Sequence, residues 1–381
     1  MRTEDANKIV SSRSTFAAKK TLKTGNMTLI LAEESMLSII RGVMHGENGC
    51  GRFETFHSLV EAKEYVSKLE IGNQSEFDTP SIDNPGVAKI LKDSISSDKM
   101  RDFITKLVGS FKNRYLGSNY GVEAPNFIYN HWADISSSRA DIEITKYEHS
   151  RFKQDSIILT IPGSAKDNEI IILGAHLDSI LYENDMLPDD INERKAPGAD
   201  DNASGVTVLT EAIRVIVDSG YKPYKTIQFM AYAHEEVGLR GSKDIAKKYR
   251  KDGKNVLGMI NFDMVGYHGN SNKIICFGTD PEYTNNDQTN FLEELMTYYL
   301  NDIPYDTGLC YYPCSDHSSW TGEEYPASYA HECETSPNWH KESDIVENVD
   351  VNQMSRFAQL AVVYIAEMAK GKIDFPSNMK Y

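Results

Sequence analysis

The chain has 381 residues, 40% of them apolar and 25% charged, which permits a sizeable folded core and excludes wholesale disorder. Asp and Glu number 56 against 40 Lys and Arg, a formal net charge of -16, and such a surface repels a phosphate backbone, so no nucleic acid is expected as a partner. No stretch approaches the roughly 18–20 continuous apolar residues of a membrane span, so no membrane is expected either; the opening Met1-Arg2-Thr3-Glu4-Asp5 lacks the apolar run of a signal peptide.

Charge divides the chain near residue 75. Residues 1–75 carry ten basic and nine acidic side chains, leaving +1 there and -17 on the remainder. That asymmetry predicts two units, 1–75 and 76–381, the first electrostatically suited to lie on the second. In the first unit, 27–31 reads as a short strand and 59–69 has helical spacing. A turn-rich linker then runs from Gly72 through Pro80 to Pro85 and Gly86. The spacing predicts helices over 87–95 and 100–108, and β-branched runs predict strands over 156–161 and 170–174. A helix over 205–217 places Val208, Leu209, Ala212, Ile213 and Ile216 on one apolar face. Strands over 226–233, 256–264 and 273–277 follow, with helices at 242–249, 290–300 and 354–368. Strands alternating with amphipathic helices predict an α/β fold: a mixed, mainly parallel central sheet sandwiched by helices, preceded by a small α+β unit. In such sheets, sites collect at the carboxyl ends of strands.

The chemical residues sit at those ends. His176 and Asp178 close one strand, Asp200 and Asp201 lie in a turn before a helix, and His234-Glu235-Glu236 closes the next strand. Asp263 ends another, and Trp339-His340 follows a Pro337 turn. One strand-end histidine or aspartate alone is ordinarily a cap or a turn residue. Together these residues put at least four carboxylates and two imidazoles into one crevice, a cluster that repels itself unless cations occupy it. The mixed donors favour zinc, and the excess of carboxylates fits two ions sharing a bridging aspartate. His234 is read as a packed side chain. Ser315-Asp316-His317 invites a nucleophile–base–acid reading, but contiguous residues rarely form that line, so Asp316 and His317 are read as structural.

The five cysteines are Cys50, Cys276, Cys310, Cys314 and Cys333, an odd number that cannot pair completely within the chain. Cys310 and Cys314 flank a Pro-containing turn, within reach of a disulfide, though by themselves they read first as two free thiols in a loop, and no second Cys pair follows at zinc-finger spacing. Nothing assigns the other three.

The strings Gly174–Ser179 (GAHLDS), Ala196–Gly205, Met230–Ser242 (MAYAHEEVGLRGS), Phe262-Asp263-Met264 and Cys310–His317 (CYYPCSDH) resemble the zinc aminopeptidases of the bacterial secreted leucyl-aminopeptidase type. The resemblance runs from about residue 80 to 370 in matching order and spacing. It implies two zinc ions per chain, one bound by His176 and Asp263, the other by Glu236 and His340, with Asp201 bridging. It also implies Glu235 as general base and Asp178 as the partner that orients His176, consistent with what such groups must do. Met264 and Trp339 would border the substrate, and Tyr312 would hydrogen-bond the tetrahedral intermediate from a loop closed by a Cys310–Cys314 disulfide. A cis peptide after Asp201 is implied as well. The expected activity is release of N-terminal residues, large apolar ones preferred, from peptides and proteins outside the cell. A glutaminyl-cyclase-like acyltransferase on the same scaffold is the alternative. The segment His45–Phe53 resembles the Gly-rich, Cys-containing part of the propeptides of that family, so residues 1–75 are expected to inhibit the enzyme until the 72–85 linker is cut; an independent accessory domain is the other reading.

Overall fold

The computed structural model describes residues 75–373 apart from 166–167 and 182–189, and, before them, 20–24, 27–31, 55–56 and 58–71. The 45–53 motif, with Cys50, lies outside the described residues. Strands β1 (Lys20–Thr24) and β2 (Met27–Leu31) pair antiparallel, and helix α1 (Leu59–Ile71) follows. Three helices come next: α2 (Pro85–Asp93), α3 (Ser97–Ser110) and α4 (Asn119–Ser136). Pro85 opens α2 in the first turn, where its missing N–H has no helical partner to lose. The Ser96 hydroxyl caps α3 and the Ser118 hydroxyl caps α4.

The remainder is built on strands β3 (Glu143–Tyr147), β4 (Ser156–Ile161) and β5 (Glu169–His176), then an irregular turn (Ala199–Ser204) into α5 (Gly205–Asp218). After β6 (Tyr221–Lys222) come β7 (Thr226–Tyr232), α6 (Arg240–Lys251), β8 (Asn255–Phe262), β9 (Ile275–Gly278) and α7 (Asn286–Tyr299). The chain ends with β10 (Tyr305–Gly308), α8 (His317–Gly322), β11 (Ala327–His331), α9 (Val351–Ala369) and β12 (Lys372–Ile373). The eight-stranded sheet has the order β10-β9-β11-β8-β5-β7-β4-β3. Its centre, β11-β8-β5-β7, is parallel, whereas β4 and β3 add antiparallel strands at one edge and β9 meets β11 antiparallel. The expected mixed, mainly parallel sheet is therefore present.

Both faces are covered, as continuous apolar strands require. Along β5, Ile171, Leu173 and Ala175 join the larger core under α2–α5, α7 and α9, while Ile170 and Ile172 join the smaller core under α6 and α8. In β7, Phe229 and Ala231 face the first core and Met230 and Tyr232 the second. Several elements are absent from the sequence reading, among them one long helix and one strand of the central sheet. Helix α4 carries Pro125 inside it, and β11 is a five-residue run, Ala-Ser-Tyr-Ala-His, with little apolar signature.

Residues between Thr55 and Tyr65 pack on α6 and on α8. Lys247 pairs with Glu61 at 2.6 Å, and Lys243 Nζ lies 4.4 Å from the Phe56 ring centroid. Arg240 Nε and Thr55 Oγ1 are 3.4 Å apart, and a Cβ on Gly322 would come within 2.9 Å of the Tyr65 ring. Among the described residues, no helix is long and apolar enough to cross a membrane.

Candidate metal centre

Three adjacent parallel strands deliver the site. His176 is the last residue of β5, Asp263 directly follows β8, and Glu235 and Glu236 form a short turn after β7. Asp201 comes from the Ala199–Ser204 turn in front of α5, with its peptide bond to Asn202 cis, as the resemblance implies. That turn packs so tightly on β8 that a Cβ on Gly205 would come within 2.4 Å of the Phe262 carbonyl oxygen; only glycine fits there. His340 arrives on the loop after β11, in a left-handed conformation (φ 55°).

The five predicted ligands converge. His176 Nε2 is 3.0 Å from Asp201 Oδ1 and 3.3 Å from Asp263 Oδ1. His340 Nε2 is 2.9 Å from Asp201 Oδ2 and 3.1 Å from Glu236 Oε2. Asp201 thus turns one oxygen to each histidine, and two donor triads, His176/Asp201/Asp263 and Asp201/Glu236/His340, share it. Glu235 Oε2 lies 4.0 Å from His176 Nε2, and a third grouping, His176/Glu235/Glu236, brings it within ligand range as well. All five predicted ligands are buried.

The electrostatics test whether cations belong here. Burial opposes a charge on either imidazole, yet Asp263, Glu235, Asp178 and Asp201 hold the His176 pKa well above its usual value. His340 rises to about 9, with Glu236 and Asp201 outweighing its burial. Burial raises Glu236 to about 7 and lifts Glu235 well above the carboxylate range, while the two histidines hold Asp201 below it. The carboxylates thus demand positive charge at both histidines, and divalent cations on the same donors answer that demand. Glu236 Oε1 is buried with no hydrogen-bond partner, an arrangement a metal bond would satisfy. Two imidazole nitrogens and three carboxylates are a donor set that suits divalent cations, zinc among them. The residues fit the ions.

Surrounding groups are equally specific. The Asp178 carboxylate accepts the backbone N–H groups of Glu235 (3.0 Å) and Glu236 (3.2 Å). His176 Nδ1 is nearer the Asp178 backbone carbonyl, at 3.1 Å, than its carboxylate, at 3.5 Å. Asp178 thus faces His176 with both its main-chain oxygen and its carboxylate, and the same carboxylate holds the Glu235–Glu236 turn. Asp344 accepts the N–H groups of Asp200 (2.8 Å) and Asp201 (3.1 Å), fixing the turn that carries the residue shared by both triads. Ser315 Oγ donates to Asp263 Oδ2 at 2.5 Å and accepts from Asn261 Nδ2 at 2.8 Å. Asp344 and the role of Ser315 are missing from the sequence reading; the four-residue spacing from His340 to Asp344 was the available signal for the first.

Among the remaining predicted residues, Trp339 and Met264 are partly exposed directly beside the predicted ligands His340 and Asp263, the Trp339 ring centroid 4.1 Å from that of His340. Tyr312 is partly buried in a loop closed by the Cys310–Cys314 disulfide. A second disulfide, Cys276–Cys333, joins β9 to the segment after β11, pairing two of the three unassigned cysteines. His234 packs as read, stacked on Phe152 at 3.7 Å, and burial lowers its pKa to about 3. His317 stacks on Tyr329 at 4.7 Å and neither ring nitrogen has a hydrogen-bond partner, so no Ser315–His317–Asp316 line exists.

Residues 156–365 match the sequence pattern of peptidase family M28. The chain belongs to that family. A probable leucine aminopeptidase of Arthroderma otae is 35% identical over 298 residues, 76% of each chain. Among solved structures, the LapA aminopeptidase of Legionella pneumophila superposes with a TM-score of 0.79 at 25% identity, covering 95% of this chain and 96% of its own. A glutaminyl cyclase of Bacteroides thetaiotaomicron shares the fold at 18% identity, with a TM-score of 0.57 over 71% of this chain and 98% of its own. Family membership, aminopeptidase relatives and the donor set together make this M28 chain a metal-dependent aminopeptidase, a hydrolase of peptide bonds.

Proposed function

We propose that the chain is a di-zinc aminopeptidase that removes N-terminal residues, large apolar ones by preference, from peptides outside the cell. The observation that carries this reading is the sharing of Asp201 between the two donor triads. His176 and Asp263 would hold one ion, Glu236 and His340 the other, and Asp201 both. Bound there, two zinc ions supply an acidified water and polarisation of the scissile carbonyl.

The chain's own residues do the rest. Glu235, held by its N–H on Asp178, takes the proton of the attacking water and returns it to the leaving amine. The free α-ammonium of the substrate is attracted by Glu235 and Asp263, which disfavours blocked N-termini. Met264 and Trp339, partly exposed beside the ligands, offer apolar surface to the first side chain, and Tyr312 is assigned to the tetrahedral oxygen. The two disulfides support an oxidising, extracellular setting.

Residues 1–75 are assigned an inhibitory, propeptide-like role, and 76–381 the catalytic domain. Supporting this, Thr55, Phe56, Glu61 and Tyr65 contact the turn after Glu236, α6 and Gly322. Cutting the 72–85 linker and separating the fragment should raise turnover; unchanged turnover after verified release contradicts the inhibitory role. The activity itself is tested by comparing leucyl-p-nitroanilide, its N-acetylated form and a peptide with N-terminal Gln. Hydrolysis of the free amine alone, abolished by chelator, is the expected result. Pyroglutamate and ammonia from the Gln peptide would instead indicate the cyclase chemistry.

A further inference from the structure

The loop between α3 and α4 carries a fully buried arginine with no role in the preceding chemistry. Arg114 is 0% exposed, and its guanidinium meets main-chain carbonyls from two separate segments. Nε donates to Leu177 O at 2.7 Å, one residue after the ligand His176. Nη2 donates to Gly198 O at 2.8 Å and Nη1 to Pro197 O, three and four residues before the bridging Asp201. The arginine's own N–H donates to Ser179 Oγ at 2.9 Å, and that hydroxyl donates to Ala196 O at 2.7 Å, so a second link crosses the same gap. The cradle is filled: at Gly198, φ 55°, a Cβ would come within 2.4 Å of Ser179 Cβ and of Asp201 O, and 2.9 Å of Arg114 Nη2. Burial drives the guanidinium pKa down to about 10 despite the nearby charges of Asp344, Asp178, Asp201 and Glu236.

A buried cation is costly and needs a geometric or electrostatic return. A planar fork can join three carbonyls on two segments; an ammonium, a single point of charge, cannot reproduce that span. We propose that Arg114 is a positioning residue that fixes the distance between the His176 strand end and the Asp201 turn, and thereby sets the affinity of the metal centre. This rests on the two-metal reading above. Asp344 holds the N–H groups of Asp200 and Asp201, so the turn that carries the bridging carboxylate is also fixed by main-chain hydrogen bonds of its own.

The test is Arg114→Lys in the full chain, which keeps the charge and removes the fork. Zinc stoichiometry and dissociation constant are measured by chelator competition, alongside Tm, kcat and KM. Zinc affinity should fall about 10–100-fold, the usual effect of removing a partner that orients a ligand, with kcat lost more than KM is raised. Parental zinc affinity in a folded Arg114→Lys protein, with or without a lowered Tm, overturns the proposal, since charge or general packing would then suffice. Should that variant not fold, Ser179→Ala decides, because it cuts the second link across the same gap. Weakened zinc binding at a near-parental Tm supports the brace, and unchanged binding overturns it. A parental protein that binds no zinc at all would instead refute the metal-centre reading.

Discussion

Asp178→Asn separates two ways in which one aspartate can serve this site. The substitution is isosteric, but it turns one acceptor oxygen into a donor. Asp178 accepts the N–H groups of Glu235 at 3.0 Å and Glu236 at 3.2 Å, so an amide satisfies one and opposes the other. Leaving a buried N–H without an acceptor costs about 1–3 kcal/mol. The loss falls on the turn that aims Glu235, and a ten- to hundredfold fall in kcat, about 1.4–2.7 kcal/mol, is expected. His176 Nδ1 lies 3.1 Å from the Asp178 main-chain oxygen, a contact the substitution leaves intact, so zinc content should stay parental. Steady-state hydrolysis of leucyl-p-nitroanilide and metal analysis of the same preparation measure both quantities. If the variant loses zinc and regains full kcat when zinc is added, the carboxylate acts on His176 and the clamp reasoning is wrong. An unchanged kcat refutes both.

Glu235→Gln should retain zinc and lose about 10²–10⁴-fold in kcat, as expected for a general base; near-parental kcat removes Glu235 from that role. The metal-free site holds its His340 proton up to about pH 9, so below that value zinc must displace it. Zinc affinity should therefore weaken about tenfold per pH unit as pH falls from 8 to 6, more steeply if the raised His176 also releases a proton, and a pH-independent dissociation constant contradicts this. Replacing Cys276 and Cys333 together by Ser opens a loop with a sequence separation of 57, worth up to about 4 kcal/mol by chain entropy. Denaturant unfolding should show a clear loss, and stability equal to the parent would count against a structural role for this disulfide.

The parts of this protein that were legible in its sequence are those whose signal is local. Strands β4, β5 and β7 announce themselves as β-branched and apolar runs between turns, and His176, Glu235, Glu236 and Asp263 sit at the ends where a parallel sheet gathers chemistry. Asp201 and His340 needed the family resemblance, since nothing local distinguishes them from ordinary turn residues. What stayed hidden depends on distant pairing. The Cys276–Cys333 link follows from β9 lying antiparallel to β11, and β11 itself is too short and too polar to stand out. Arg114 reads as a surface charge until the fold wraps the strand-end loops around it, and the Asp178 carboxylate finds its partners 57 and 58 residues downstream.

Zinc titration of the chelator-stripped protein, followed by hydrolysis of leucyl-p-nitroanilide, bears on the two triads sharing Asp201. Two equivalents should bind and activity should rise with them, while Asp201→Ala should fail to hold the pair. Full activity in the stripped protein, or two equivalents still bound tightly without the Asp201 carboxylate, would contradict a bridged two-metal centre.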